Sequence, residues 1–100
     1  MTTTIQENGN QLIAFFNGRL DTAAAIPTAE AVKPLLEASN REIILDCSQL
    51  EYISSSGLRI FLSIRKEAAG HASKVIVRNI SADIRQVFMM TGFISLFEIQ

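Results

Sequence analysis

The sequence predicts an α/β domain with a mostly parallel sheet that opens on an antiparallel hairpin, in the order ββαβαβαβ. Three observations carry this reading. Apolar runs of strand length, at residues 12–16, 43–45 and 75–77, alternate with stretches whose apolar residues recur at helical spacing. Asn8-Gly9-Asn10 lies between two extended runs, a hairpin signal because such turns need residues that accept positive φ. Single helices between successive strands impose right-handed crossovers, and these make neighbouring strands parallel.

The elements follow in order. Thr2, Thr3, Thr4 and Ile5 are β-prone and open a strand that runs to Glu7. The second strand covers residues 11–16. Its unbroken apolar run predicts burial on both faces, and Asn17-Gly18 is expected to end it. Asp21 or Thr22 caps the first helix. Ala23, Ala24 and Ala25 favour that helix, whereas Pro27 fits best near its first turn. Val32, Leu35 and Leu36 form a buried stripe, and Pro34 inside that stripe predicts a kink or break. Ser39-Asn40 close the element, and residues 42–46 form the third strand. A helix then runs from Leu58 to Ala69. Its polar stripe is Arg59, Ser63, Lys66, Glu67 and Gly70. Leu58, Phe61, Leu62, Ala68 and Ala69 are the expected core face, with Ile60 and Ile64 on the flank, Arg65 packing only its stem, and Gly70 as the stop. Residues 74–78 form the fourth strand. Ser81 caps the last helix, with Asp83 in its first turn. Ile84, Val87, Phe88 and Thr91 keep the i, i+3, i+4, i+7 spacing, and Gly92 ends it. A short strand over 96–99 completes one domain spanning residues 1–100, with no repeat or linker.

Composition narrows the function. Apolar residues make up 48% and charged residues 19%, which is enough to form a core and too apolar for a disordered chain. The net charge of −1 gives no electrostatic support for nucleic-acid or anionic-membrane binding. The apolar runs are too short to span a bilayer and the N-terminus lacks a signal-peptide pattern, so a cytoplasmic protein is expected. Cys47 is the only cysteine and His71 the only histidine. Cys47 reads as a small buried hydrophobe, and His71 as a surface residue at a helix end. No metal site, Cys–His pair, phosphate loop, nucleophile elbow or cofactor motif is present, so an enzyme is not expected.

What remains is Ser54-Ser55-Ser56-Gly57, between a polar turn and the start of a helix. One of these serines serves as N-cap, but three exceed what capping needs. The first N–H groups of a helix have no internal partner and carry the positive end of its dipole. A phosphoryl group on such a serine therefore meets donors and a favourable field.

Residues 44–50 (Ile-Leu-Asp-Cys-Ser-Gln-Leu), followed by Tyr52-Ile53-Ser54-Ser55-Ser56-Gly57-Leu58, resemble the signature of the STAS domain, the anti-anti-sigma factor (anti-sigma factor antagonist) family. Gly18-Arg19-Leu20-Asp21 resembles that family's loop after the second strand, and Thr91-Gly92-Phe93 its third-helix ending. The resemblance implies a STAS-type fold and a switch. An anti-sigma factor that is also a serine kinase phosphorylates the residue just before the glycine, here Ser56, with Ser55 next in line. Unmodified protein binds that partner and frees a sigma factor, modified protein does not, and a serine phosphatase resets it. Asp21, Thr22, Ser54, Ser55, Ser56, Gly57, Arg59 and Ile60 are the implied partner surface. The family often carries Asp where this chain has Ser54. It also often carries a further helix after the last strand, whose absence implies a more exposed or partner-covered sheet or last helix. The alternative implied by the same resemblance is an unphosphorylated docking module of a transporter or larger signalling complex.

Overall fold

The computed structural model describes residues 1–100. The chain folds in the order β1 (Thr2–Asn8), β2 (Gln11–Leu20), α1 (Thr22–Ala31), α2 (Lys33–Leu36), β3 (Glu42–Ile53), α3 (Ser55–Gly70), β4 (Lys74–Arg78), α4 (Ala82–Thr91), a single 3₁₀ turn (Phe93–Ser95) and β5 (Glu98–Ile99). The five strands form one sheet in the order β1-β2-β3-β4-β5, antiparallel between β1 and β2 and parallel elsewhere. Each crossover steps one strand further in the same direction, so right-handed connections place the helices together on one face.

That face holds the core. Leu12, Ala14, Phe16, Ile43, Leu45 and Val77 project from the sheet against Phe61, Ile64, Ile84 and Phe88 from the helices. The opposite face carries a small separate cluster of Ile13, Ile44 and Ile76, aligned across three strands with Phe15 beside them. Burial on both faces, expected for β2, is what the structure shows. No helix contributes to the second cluster. Long polar side chains flank it instead, paired as Gln11–Glu42 (2.7 Å) and Lys74–Glu98 (3.1 Å).

Several boundaries differ from the sequence reading. The first turn has Gly9 alone at positive φ (+61°), as first central residue, the type II′ pattern in which one residue and not two is left-handed. Asn17-Gly18 does not end β2. The strand continues to Leu20, with Gly18 at φ +111° and register shifts against β3 on both sides of it. Likewise β3 runs to Ile53 instead of stopping at Asp46. Cys47, Leu50 and Ile53 are all buried, a spacing of three that a regular strand of period two cannot supply. The two register shifts add the extra residues. Asp46 holds the first of them: its carboxylate accepts from the Ser48 N–H (2.9 Å), the Arg78 Nε (2.8 Å) and the Asn79 amide (3.1 Å).

Pro34 breaks the first helix as expected: α1 stops at Ala31 and α2 restarts with the proline in its first turn. Pro27 lies within α1, past its first turn. Gly70 is not the stop of α3. It stays helical, and the left-handed residue is Ala72 (φ +57°), with the Ser73 N–H returning to the Ala68 carbonyl (2.9 Å). Gly92 does end α4, at φ +80°. The last strand is only Glu98–Ile99, because Phe93–Ser95 coils into a 3₁₀ turn that packs Phe93 and Phe97 against Phe88.

Helix α3 is rolled relative to the expected core face. Gly57, Ile60, Phe61, Ile64 and Ala68 are buried with Leu58, whereas Leu62 and Ala69 are exposed. The buried set keeps the i, i+3, i+4, i+7 spacing. The rotation follows from the close seat of Gly57 described below.

Candidate functional site

At the carboxyl end of the sheet, β2 and β3 each hand over to a helix, and the two handovers are tied together. The Ser54 N–H donates to the Leu20 carbonyl at 2.9 Å. One residue beyond each strand end stands an N-cap. Asp21 Oδ1 accepts from the Ala24 N–H (2.9 Å) at the start of α1, and Ser54 Oγ accepts from the Gly57 N–H (3.2 Å) at the start of α3. Both caps have extended backbone, as capping requires. Of the two residues offered for α1, Asp21 takes the role and Thr22 is the first helical residue, exposed.

The three serines therefore have three different surroundings. Ser54 is buried and spent on the cap. Ser55 is the first helical residue and exposed, and Ser56 is the second and half-buried. The first intrahelical donor is the Leu58 N–H, which reaches the Ser54 carbonyl at 2.9 Å, so the N–H groups of Ser55 and Ser56 have no acceptor within the helix and remain available to an anion. Serine at position 54 does the capping work that an aspartate there would do, since both residue types cap a helix equally well.

Gly57 is present for space. A Cβ there would lie 2.7 Å from Leu20 Cγ and 2.9 Å from Ile53 Cγ1. Leu20 and Ile53 are themselves buried at the ends of β2 and β3. The glycine lets the first turn of α3 sit directly on the strand ends, and this contact sets both the roll of the helix and the height of Ser55 and Ser56 above the sheet.

The remaining expected surface residues divide. Arg59 is exposed, one turn along α3 from Ser55. Ile60 is not available to a partner: at 9% exposure it belongs to the main core, because it lies on the same stripe as Gly57 and Ile64. Leu62, expected in the core, instead continues the exposed stripe of Ser55 and Arg59. Beside the loop, the Arg19 guanidinium stacks on the Tyr52 ring at 4.4 Å, a pair aligned by the β2–β3 register. Sequence reasoning missed this pair and the Leu20–Gly57 contact. The partners lie more than thirty residues apart, and no local pattern links them.

Cys47 is buried in the main core, as expected. Burial pushes its thiol up to about 12, and the neighbouring Asp46 carboxylate adds to the effect. Burial alone would raise the Asp46 carboxyl, but the hydrogen bonds from Ser48, Arg78 and Asn79 outweigh it and hold that carboxyl below its ordinary value. No three His, Cys, Asp or Glu side chains converge. No helix is long and apolar enough to cross a membrane.

Comparison with known proteins agrees with this architecture. BtrV of Bordetella bronchiseptica, described as an anti-sigma factor antagonist, is 28% identical over 99 residues, covering 99% of this chain and 85% of that protein. The crystal structure of a Thermotoga maritima protein with the same description superposes with a TM-score of 0.87 at 19% identity, over 97% of this chain and 84% of that one. The Bacillus cell-fate determinant SpoIIAA in its phosphorylated form gives 0.74 at 20% identity, over 99% of this chain and 91% of that one. The family model for the STAS domain matches residues 2–100, and with the fold and the serine-bearing helix start this chain is a member of the STAS domain family.

Proposed function

We propose that this chain is an anti-sigma factor antagonist, a regulatory binding protein of the cytoplasm and not an enzyme. Unmodified, it binds an anti-sigma factor that is also a serine kinase, and so releases a sigma factor. Phosphorylation of Ser56 ends that binding, and a serine phosphatase restores it. The observation that carries this reading is the placement of Ser56: half-exposed, second in α3, beside N–H groups that have no partner. The descriptions of BtrV and of the structural neighbours support the same class of activity.

The physics of the switch follows from that placement. A phosphoryl group brings about −1.5 to −2 charges and three acceptor oxygens. The start of α3 presents about half a positive charge and open donors, so the fold tolerates the group. A partner surface matched to a neutral hydroxyl and to the exposed face of Ser55, Arg59 and Leu62 does not. Burying an uncompensated dianion there costs several kcal/mol, and each 1.4 kcal/mol lowers affinity about tenfold. Asp21 and Thr22, on the adjoining helix start, complete the proposed contact surface together with Ser54 and Gly57, which act by holding the serines in position.

The test is incubation with the cognate kinase and ATP, followed by site mapping by mass spectrometry. Label on Ser56 is the expected result, with Ser55, the exposed first residue of α3, as the second candidate. Label on neither contradicts the proposal. A Ser56→Asp variant that binds the native partner as tightly as the unmodified chain would also contradict it, and would favour a docking module.

A further inference from the structure

The two edges of the sheet are unlike. β5 is two residues long, and the ion pair between Glu98 and Lys74 guards it. A short, charged edge is a common protection against pairing with another chain. β1 has no such protection. It is seven residues long, pairs with β2 without a register break, and contains no proline, lysine or bulge. Its only charge, Glu7, is already engaged by Arg41 at 3.4 Å. Thr2, Thr3, Thr4 and Ile5 are β-branched and suit extended pairing.

The β1–β2 register tells which backbone groups point outward. Asn8 and Gln11 flank the two-residue turn and form a hydrogen-bonded pair, so pairing alternates from there. Asn8, Gln6, Thr4 and Thr2 direct their N–H and C=O groups at β2. Thr3, Ile5 and Glu7 direct theirs into the open edge. This outward set is symmetric about Ile5. If a second copy approaches antiparallel, Ile5 faces Ile5, and Thr3 faces Glu7 twice, each pair exchanging both bonds. Thr4 then stands opposite Gln6 as the close, non-hydrogen-bonded pair, about 4.5 Å between Cα atoms. No like charges meet anywhere along the seam. Ile5, half-buried and packed on the core of its own copy, gains a second isoleucine beside it.

We infer that β1 is the seam of a homodimer, in which two copies pair antiparallel about Ile5 and join their sheets into one. The occupant is a second copy because the edge is its own complement in register, hydrogen bonding and charge. The arrangement also leaves the serine loops free. The start of β1 lies at the site end of the sheet, with Thr2 paired to Asn17. Antiparallel pairing therefore carries the two copies of Ser56 to opposite ends of the joined sheet, where each meets its own partner.

The test is the mass of the purified full chain in solution, by sedimentation equilibrium from micromolar to millimolar concentration. The expected result is a monomer–dimer equilibrium. The double variant Thr4→Lys/Gln6→Lys sets like charges opposite each other twice and should weaken the dimer roughly tenfold. The double variant Thr4→Lys/Gln6→Glu sets opposite charges there and should dimerise at least as tightly as the unmodified chain. Thr4 and Gln6 are both exposed, so the fold is expected to survive either change, with circular dichroism as the check. A mass of one chain at every concentration overturns the inference. A dimer indifferent to both double variants overturns it equally.

Discussion

Replacing Gly57 with alanine tests how the serines are held. In an unhindered helix interior, alanine is more favourable than glycine by about 1 kcal/mol. At Gly57 the new methyl would lie 2.7 Å from Leu20 and 2.9 Å from Ile53. Neither side chain has room to retreat, since Leu20 is fully buried and Ile53 nearly so. Forcing a methyl into a packed site costs about 1–3 kcal/mol. The propensity gain offsets part of this, leaving a net loss of up to about 2 kcal/mol. Gly70 supplies the control in the same helix: a Cβ there meets nothing within 4 Å, so Gly70→Ala should stabilise by up to about 1 kcal/mol. Urea titrations of the two variants and the parent, at unchanged slope, measure the difference. The expected order is Gly70→Ala above the parent and Gly57→Ala below it. A Gly57→Ala variant as stable as Gly70→Ala would refute the close seating of α3 on the strand ends.

Three further outcomes follow. Ser54→Ala should lower stability by about 1 kcal/mol in thermal melts through loss of the N-cap, whereas Ser54→Asp should preserve it. Asp46→Asn should cost about 1–3 kcal/mol at neutral pH, because the buried carboxylate loses charge-assisted bonds to Arg78, Asn79 and Ser48. The Asp46 carboxyl is depressed in the fold, so its contribution is full above the unfolded value of 3.8 and fades as pH falls through the lower folded value; the gap between parent and variant in acid titrations should close in that direction. Cys47, with its thiol pushed up to about 12, should react with a thiol reagent at neutral pH only at the rate of unfolding, and prompt labelling of the folded chain would contradict its burial.

Much of the fold is legible in the sequence because the strongest signals are local. The apolar runs of β2, β3 and β4, the break at Pro34, the cap at Ser81 and the stop at Gly92 all depend on near neighbours, and all appear in the structure. The misread features depend on distant partners. The stretch between Cys47 and Ser54 looks like a polar turn, yet pairing with β2 through two register shifts makes it strand, so that Cys47, Leu50 and Ile53 are buried at every third position. The polar and apolar faces of α3 are visible along the chain, but the exact roll depends on Gly57 meeting Leu20. That contact exchanges the roles of Ile60 and Leu62, placing the first in the core and the second at the surface. Gly70 suggests a stop, but Ala72 takes the left-handed position because the chain must turn there to start β4. At the site, the serine run and Asp21 stand out in the sequence, while the division of labour among Ser54, Ser55 and Ser56 emerges only with the cap geometry.

The most direct test of the switch compares the affinity of the anti-sigma factor for the unmodified chain and for chain fully phosphorylated at Ser56, with circular dichroism recorded on both. Phosphorylation is expected to reduce affinity at least a hundredfold, about 3 kcal/mol, while the two spectra and melting curves stay alike. Equal affinity of the two forms, or loss of binding accompanied by loss of fold, would contradict a switch that works by charge at the start of α3.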